Sequence, residues 1–365
     1  MIDRQNLVYK TEYHLTMVIV YAAAITITGW LTLYRTGALS GQTPDFFIRQ
    51  SCWAVLAWSL FFAAVRIRFE KILQLIMPLA TVALLLMLLL PVAGLSVNGM
   101  RGWYEIGPLT VQPSEIFKFI YILLLNRILY WEKFTEPLRI VLATAVIAVA
   151  AVLLLLQPDF GTMIVYLGGG AGAIYFSRVK LRYLLLTAAA AIPTAVIALL
   201  LHPYMRNRLI NFFDPALDPQ GGGWHLHQFA IAAARGEWTG VKSTMAVWSN
   251  SFLPLPHNDS IFAGVCEMLG FCGALLVILL YWHFYMSAYK LAYFRHDPLR
   301  RSIIESMAFM LAVQTFLHIG VNLGVLPPTG ITLPLISYGG SSLVGTMLML
   351  AVITSAGCRE KPSGR

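Results

Sequence analysis

The stretch PLPHNDSIFAGVCEMLG, residues 254–270, sets a histidine and an aspartate just before an apolar run and keeps one glutamate inside it. Three of its side chains, His257, Asp259 and Glu267, could handle a proton. An Asn or Asp at such a place is first of all a helix N-cap, and the anion of a capping carboxylate is stabilised, which makes a poor base. Partial burial pushes the pKa the other way, towards the range a general base needs. Periodicity leaves both readings of Asp259 open. Glu267 lies two turns deeper, and a carboxylate inside an apolar helix normally faces a cavity or a partner.

A second constellation is QPSEIFK, residues 112–118, where Gln112 precedes Pro113. Proline suits the first helical position, and Glu115 in the first turn is favoured by the helix dipole. Lys118, three residues on, shares its face. The pair is either a cap with a lysine snorkelling to the interface or a charged couple lining a polar cavity. A third region, 202–258, mixes Arg206 and Arg208 with the turn formers Asp214, Pro215, Asp218 and Pro219. Within it WHLHQFAIAAA could lie in a membrane interface as an amphipathic helix. His225 and His227 are two apart, a poor spacing for ligands on one helix face, so no zinc site is expected. The four cysteines suggest neither a disulfide framework nor a metal cage.

The elements that hold these residues are apolar. Of 365 residues 58% are hydrophobic and 12% charged, against about 25% charged in soluble domains. The fold class expected is an all-α polytopic membrane protein, one domain over 1–365. Helices are predicted over 14–34, 50–66, 72–94, 113–131, 139–157, 160–177, 182–201, 259–286, 301–325 and 336–357, about ten spans. Residues 202–258 form one long loop between the seventh and eighth. With an even count both termini share a side, and that side collects 18 Lys and Arg against 7 opposite. The positive-inside rule makes both termini cytoplasmic and 202–258 extracytoplasmic. The same asymmetry explains the net charge of +9 without a nucleic-acid partner. The chemically unusual segments then all face outward.

Five segments in order, RGWYEIGPLTVQPSEIFK, QPDFGT, RNRLINFFDPALDPQGGG, LPLPHNDSIFAGVCEMLG and GVLPPTGITLPLISYGGSS, resemble the SEDS family (RodA/FtsW/SpoVE) from about residue 15 to 357. The resemblance implies a peptidoglycan glycosyltransferase of the bacterial cytoplasmic membrane that polymerises lipid II into glycan strands at the outer face, for elongation or division. It also implies a class B penicillin-binding protein as partner, with membrane lipids around it. Asp259 matches the family's catalytic carboxylate, His257 its motif histidine and Glu267 its downstream glutamate. Gln112, Glu115 and Lys118 match the element lining the family's central cavity, and Arg101 and Trp103 match its arginine and tryptophan. The chain departs from the pattern at Gly102, Asn258, Ser260 and Met268, and in RGEWTGVK, residues 235–242.

For that chemistry Asp259 would take the proton of the attacking sugar hydroxyl. Arg101, Lys118, Arg206 and Arg208, or a divalent cation (Mg or Mn), would stabilise the departing pyrophosphate. The chain has no Asp-x-Asp and no dinucleotide fingerprint, which suits a lipid-linked donor. A lipid flippase or transporter, and a non-catalytic scaffold of a cell-wall complex, are the alternatives.

Overall fold

The computed structural model describes residues 4–37, 43–97, 99–107, 109–180, 182–187, 189, 193, 203–218, 222–241, 246 and 248–358. The first three helices are α1 (Arg4–Gly37), α2 (Thr43–Val65) and α3 (Phe69–Ala93). A three-stranded antiparallel meander follows, made of β1 (Leu95–Val97), β2 (Met100–Ile106) and β3 (Leu109–Val111). Then come α4 (Pro113–Ile116), α5 (Lys118–Leu129), α6 (Glu136–Leu156) and α7 (Phe160–Phe176). Two shorter helices, α8 (Pro203–Phe213) and α9 (Gly222–Gly236), precede α10 (Ile261–Tyr293), α11 (Pro298–Asn322) and α12 (Gly340–Gly357).

Among the described residues seven helices are long and apolar enough to cross a membrane: α1, α2, α3, α6, α10, α11 and α12. The chain is an integral membrane protein of all-α, polytopic architecture. Its layers follow from burial. The most apolar stretches of α12 and α11 are 89% and 67% buried, against 17% and 22% for α2 and α3. The last two helices are therefore the axis of the bundle, and α2 and α3 turn apolar side chains outward, as lipid-facing helices do. The expected segment 113–131 is split at Phe117 (φ −84°, ψ 3°), which ends α4 and begins α5. The expected seventh helix, 182–201, lies largely outside the described residues, of which 182–187 are helical.

The structure adds two features and corrects one expectation. Residues 95–111 carry a small sheet, in which Leu95 pairs with Trp103 and Tyr104 with Val111. The described part of 203–258 carries the helices α8 and α9. The helix α9 does not keep its apolar face for a membrane interface, because Phe229 and Ala232 pack with Leu253, Ala263 and Val321 in a small second core.

Glu267, expected to face a cavity or a partner, meets the partner. The helix α10 breaks at Gly270, whose φ of +64° favours glycine. The turn after α9 fills the gap: Phe271 N donates to Glu237 O (2.8 Å), Cys272 N to Trp238 O (3.0 Å) and Val241 N to Glu267 O (3.0 Å). At this joint the Glu267 carboxylate is wholly buried and faces neither cavity described below. It accepts from Arg235 Nε (3.1 Å), Trp248 N (3.2 Å), Ser249 N (2.6 Å) and Ser249 Oγ. An interior carboxylate needs its lone pairs filled, and backbone donors fill them here instead of a ligand. Glu267→Ala strands these donors, a loss of about 3–5 kcal/mol by analogy with broken buried pairs. It should lower the melting temperature of detergent-solubilised protein and its yield.

Candidate active site

Asp259 sits in the turn before α10, and its side chain is not a cap. The residue preceding the helix is Ser260, which makes no side-chain capping bond. Asn322, at the end of α11, does part of that work: its Oδ1 accepts from Ala263 N (2.9 Å) and its Nδ2 donates to Asp259 O (2.9 Å). The neighbouring helix thus both caps the first turn of α10 and pins the main chain of Asp259. The carboxylate is left to a cavity of about 320 Å3 lined by Arg208, His225, Pro254, His318, Thr329 and Gly330 among others. Its Oδ1 is buried without a hydrogen-bond partner. Burial pushes the Asp259 carboxyl up to about 6, against the opposing pull of the Arg208 guanidinium.

Beside it lies a larger cavity of about 600 Å3, into which Gln112, Glu115, Asp159, Asn258 and Trp103 face. Gly330 and Ile331 line both spaces. Gly330 has φ +70°, and a Cβ built there would stand 3.6 Å from Asp259 Oδ2, so a glycine keeps the partition thin at the carboxylate.

The charged couple of the QPSEIFK segment is buried. Lys118 Nζ lies 2.7 Å from Glu115 Oε2 and 2.7 Å from Gln314 Oε1. Lys118 is 0% exposed and Glu115 5%, which excludes a snorkelling lysine. Gln112 donates from Nε2 to Asp159 Oδ2 (2.9 Å), and Asp159 caps α7 by accepting from Thr162 N (3.1 Å). Burial raises the Asp159 carboxyl to about 6 while the bonds from Thr162 hold it down. Asp159 was not among the residues singled out from sequence, although it sits in QPDFGT.

A polar stripe on α11 bonds residues that line the two cavities. Gln314, His318 and Asn322 are four residues apart and therefore share a face. Gln314 Nε2 donates to Thr332 O (2.9 Å), His318 Nδ1 lies 2.7 Å from Ile331 O, and Asn322 holds Asp259. Sequence reasoning missed this stripe, whose signal was the run of three polar residues at helical spacing inside an apolar span.

The remaining candidates separate. Arg208 lines the Asp259 pocket and donates to Pro328 O (3.1 Å). Arg206 is exposed on α8 and lines neither cavity. Arg101 is also exposed and donates to Pro91 O (2.8 Å), satisfying a carbonyl in the last turn of α3. His257 stacks on Phe46 at 4.3 Å and meets Tyr338 edge-on at 5.7 Å; burial lowers its pKa. It is packed between rings and lines neither cavity. Among the described residues no three His, Cys, Asp or Glu side chains converge as a metal-binding group.

The family described as "Cell cycle protein", FTSW_RODA_SPOVE, matches residues 13–361. A relative named "Probable peptidoglycan glycosyltransferase FtsW" from Nitrosococcus halophilus is 35% identical over 325 residues, covering 86% of this chain and 83% of the relative. One of the same name from Legionella pneumophila is 35% identical over 330 residues, covering 86% and 81%. Among solved structures, a chain from work on structural coordination of polymerization and crosslinking by a peptidoglycan synthase complex superposes with TM-score 0.80 at 30% identity, covering 93% of this chain and 96% of that one. The rod shape determining protein RodA of Thermus thermophilus gives 0.71 at 27% identity, covering 93% and 95%.

The buried couple makes a stability prediction. Lys118→Met leaves Glu115 charged and unpaired in the bundle, at about 3–5 kcal/mol, and should lower the melting temperature sharply. The double variant Lys118→Met/Glu115→Gln removes both charges and should recover most of the loss. Equal melting temperatures for the single and double variants would show that the pair carries no buried charge.

Proposed function

Because the chain belongs to the FtsW/RodA/SpoVE family, we propose that it polymerises lipid II into glycan strands, with Asp259 as the general base. The observation that carries this reading is Asp259 Oδ1, buried without a hydrogen-bond partner in a pocket that Arg208 also lines. The acceptor's sugar hydroxyl gives its proton to Asp259 and its oxygen forms a bond to the donor's anomeric carbon. The bond from that carbon to the polyprenyl pyrophosphate breaks, and the leaving group departs with the electron pair. Arg208 is the cation placed to meet that charge. Mg or Mn, if it takes part, would enter bound to the pyrophosphate, and no step is assigned to it. The larger cavity, with Gln112, Glu115 and Asp159 at its wall, would accommodate the rest of the substrate, and apolar grooves between helices its tail.

By the charge asymmetry of its loops the chain sits in the bacterial cytoplasmic membrane with both termini inside and 202–258 outside. The working partner is a class B penicillin-binding protein, a reading supported by the likeness to a chain of a peptidoglycan synthase complex. In a background without native cysteines, Ala216→Cys should label with an impermeant maleimide on intact cells, and His296→Cys only after permeabilisation. The reverse pattern would remove the outward-facing site.

Asp259→Asn separates base from structure. Losing a general base costs about a hundredfold to ten-thousandfold in rate, so the variant should bind its partner and make no strands from lipid II. Its stability has the opposite sign from that of a lost cap. A carboxyl raised to about 6 stabilises the fold fully below the unfolded value of 3.8, and this stabilisation is lost as pH rises through 6. At neutral pH the wild-type anion therefore costs stability, and Asp259→Asn should melt no lower than wild type. Wild-type polymerisation should fall as pH drops through about 6, where the base becomes protonated. Full activity of the Asn variant would transfer the role to Glu115 or Asp159.

A further inference from the structure

His318 lies on α11, is 1% exposed and lines the Asp259 pocket. Its Nδ1 is 2.7 Å from Ile331 O. A carbonyl only accepts, so Nδ1 carries the hydrogen and the neutral ring presents a lone pair at Nε2. That Nε2 is buried with no hydrogen-bond partner. Two further polar atoms of residues lining the same pocket share this condition, Asp259 Oδ1 and Thr329 Oγ1. Buried polar atoms are rarely left unsatisfied, and three around one cavity of about 320 Å3 describe the imprint of a ligand rich in hydroxyls. The ring is fixed by its bond to the Ile331 carbonyl, so its free nitrogen has a defined direction, unlike a rotating hydroxyl.

We propose that His318 is a specificity-determining residue for the acceptor sugar: Nε2 accepts a hydrogen bond from a non-reacting hydroxyl and thereby sets which hydroxyl is presented to Asp259. The proposal rests on the reading of this pocket as the acceptor site. Asn322, one turn beyond on the same face, pins the main chain of Asp259, so a single helix face fixes both the base and the sugar. The pocket does not bind an anion at this nitrogen, because Nε2 offers no hydrogen; anionic groups go to Arg208.

Two substitutions divide the ring's functions. His318→Asn keeps an amide nitrogen near the Nδ1 position, able to bond Ile331 O, and deletes the acceptor at Nε2. His318→Gln places an amide oxygen near Nε2. Purified protein with its partner would be given lipid II acceptors, each deoxygenated at one non-reacting sugar hydroxyl, in competition with the natural acceptor. Wild type should disfavour one of them roughly tenfold, the usual consequence of losing one hydrogen bond. In His318→Asn that discrimination should vanish, with a raised KM for the natural acceptor, while His318→Gln retains most of it. A purely structural histidine would slow all acceptors alike. Unchanged discrimination in His318→Asn, or no discrimination in wild type, overturns the proposal and leaves the role of Asp259 intact. Should His318→Asn fail to accumulate, His318→Gln decides: retained discrimination supports the assignment and its loss overturns it. Normal polymerisation by Asp259→Asn would instead remove the reading on which the proposal rests.

Discussion

Backbone polar groups inside an apolar bundle must be satisfied by the protein itself, because lipid offers no hydrogen bonds. Most of this chain meets the constraint by being helical. The segment between α11 and α12, residues 323–339, does not, and the site is built around its exceptions. Its carbonyls and amides are taken one by one: Ile331 O by His318, Thr332 O by Gln314, Leu333 N by Ser337 Oγ, and Tyr338 N by His257 O. Gly330 and Ile331 of this segment line both cavities. Of the side chains that satisfy the irregular segment, His318 also lines the Asp259 pocket.

The same constraint explains why the ionisable groups divide into two kinds. Glu267 and the Glu115–Lys118 couple have close partners, and their charges serve packing: one joins α9 to the broken α10, the other ties α4 and α5 to α11. Asp259 is under-partnered, and its carboxyl is pushed up to about 6 by burial. A carboxylate kept in that condition lowers the stability of the folded state at neutral pH. Local rules are broken in this way mainly where function requires it. The contrast between Glu267 and Asp259, eight residues apart, is a contrast of available donors: Arg235, Trp248 N and Ser249 reach the first, and Asp259 Oδ1 is buried with no hydrogen-bond partner.

How much of this was legible in the sequence follows from which signals are local. The apolar spans were readable, because about 20 greasy residues can do little else in a bilayer. The Glu115–Lys118 couple was readable from its spacing of three. The sheet was missed despite Asn98-Gly99, a strong hairpin signal, because the surrounding apolar runs drew attention away from a short meander. Glu267 was left between a cavity and a partner, since periodicity shows that a side chain faces inward and not what meets it there. Arg101 and His257 matched family positions, yet one closes α3 and the other is packed between rings. Such partners are distant in sequence, Pro91 apart, and no pattern names them.

The departures from the family pattern can now be sorted by what they touch. Ser260 donates from its hydroxyl to Pro254 O, an internal tie of the turn that carries Asp259. Met268 is buried next to the break in α10, where the turn at Gly240 packs on its carbonyl. The RGEWTGVK segment supplies that turn and the carbonyls that bond the amides freed at Gly270. Met268 and RGEWTGVK belong to the joint holding the broken α10, whereas Ser260 belongs to the turn before that helix, tied to a residue of the Asp259 pocket. Gly102 and Asn258 differ. A Cβ on Gly102 would approach Gln112 Nε2 to 3.7 Å, the atom that bonds Asp159, and Asn258 lines the large cavity with its Oδ1 buried and unpartnered. Asn258 stands on the wall of the 600 Å3 cavity, Gly102 lies behind that wall against Met100 and Gln112, and neither lines the Asp259 pocket. Of the two departures near a cavity, Asn258 therefore stands on the larger one, while Asp259 and Arg208 keep their places on the smaller one and Asn322 of α11 still holds the main chain of Asp259.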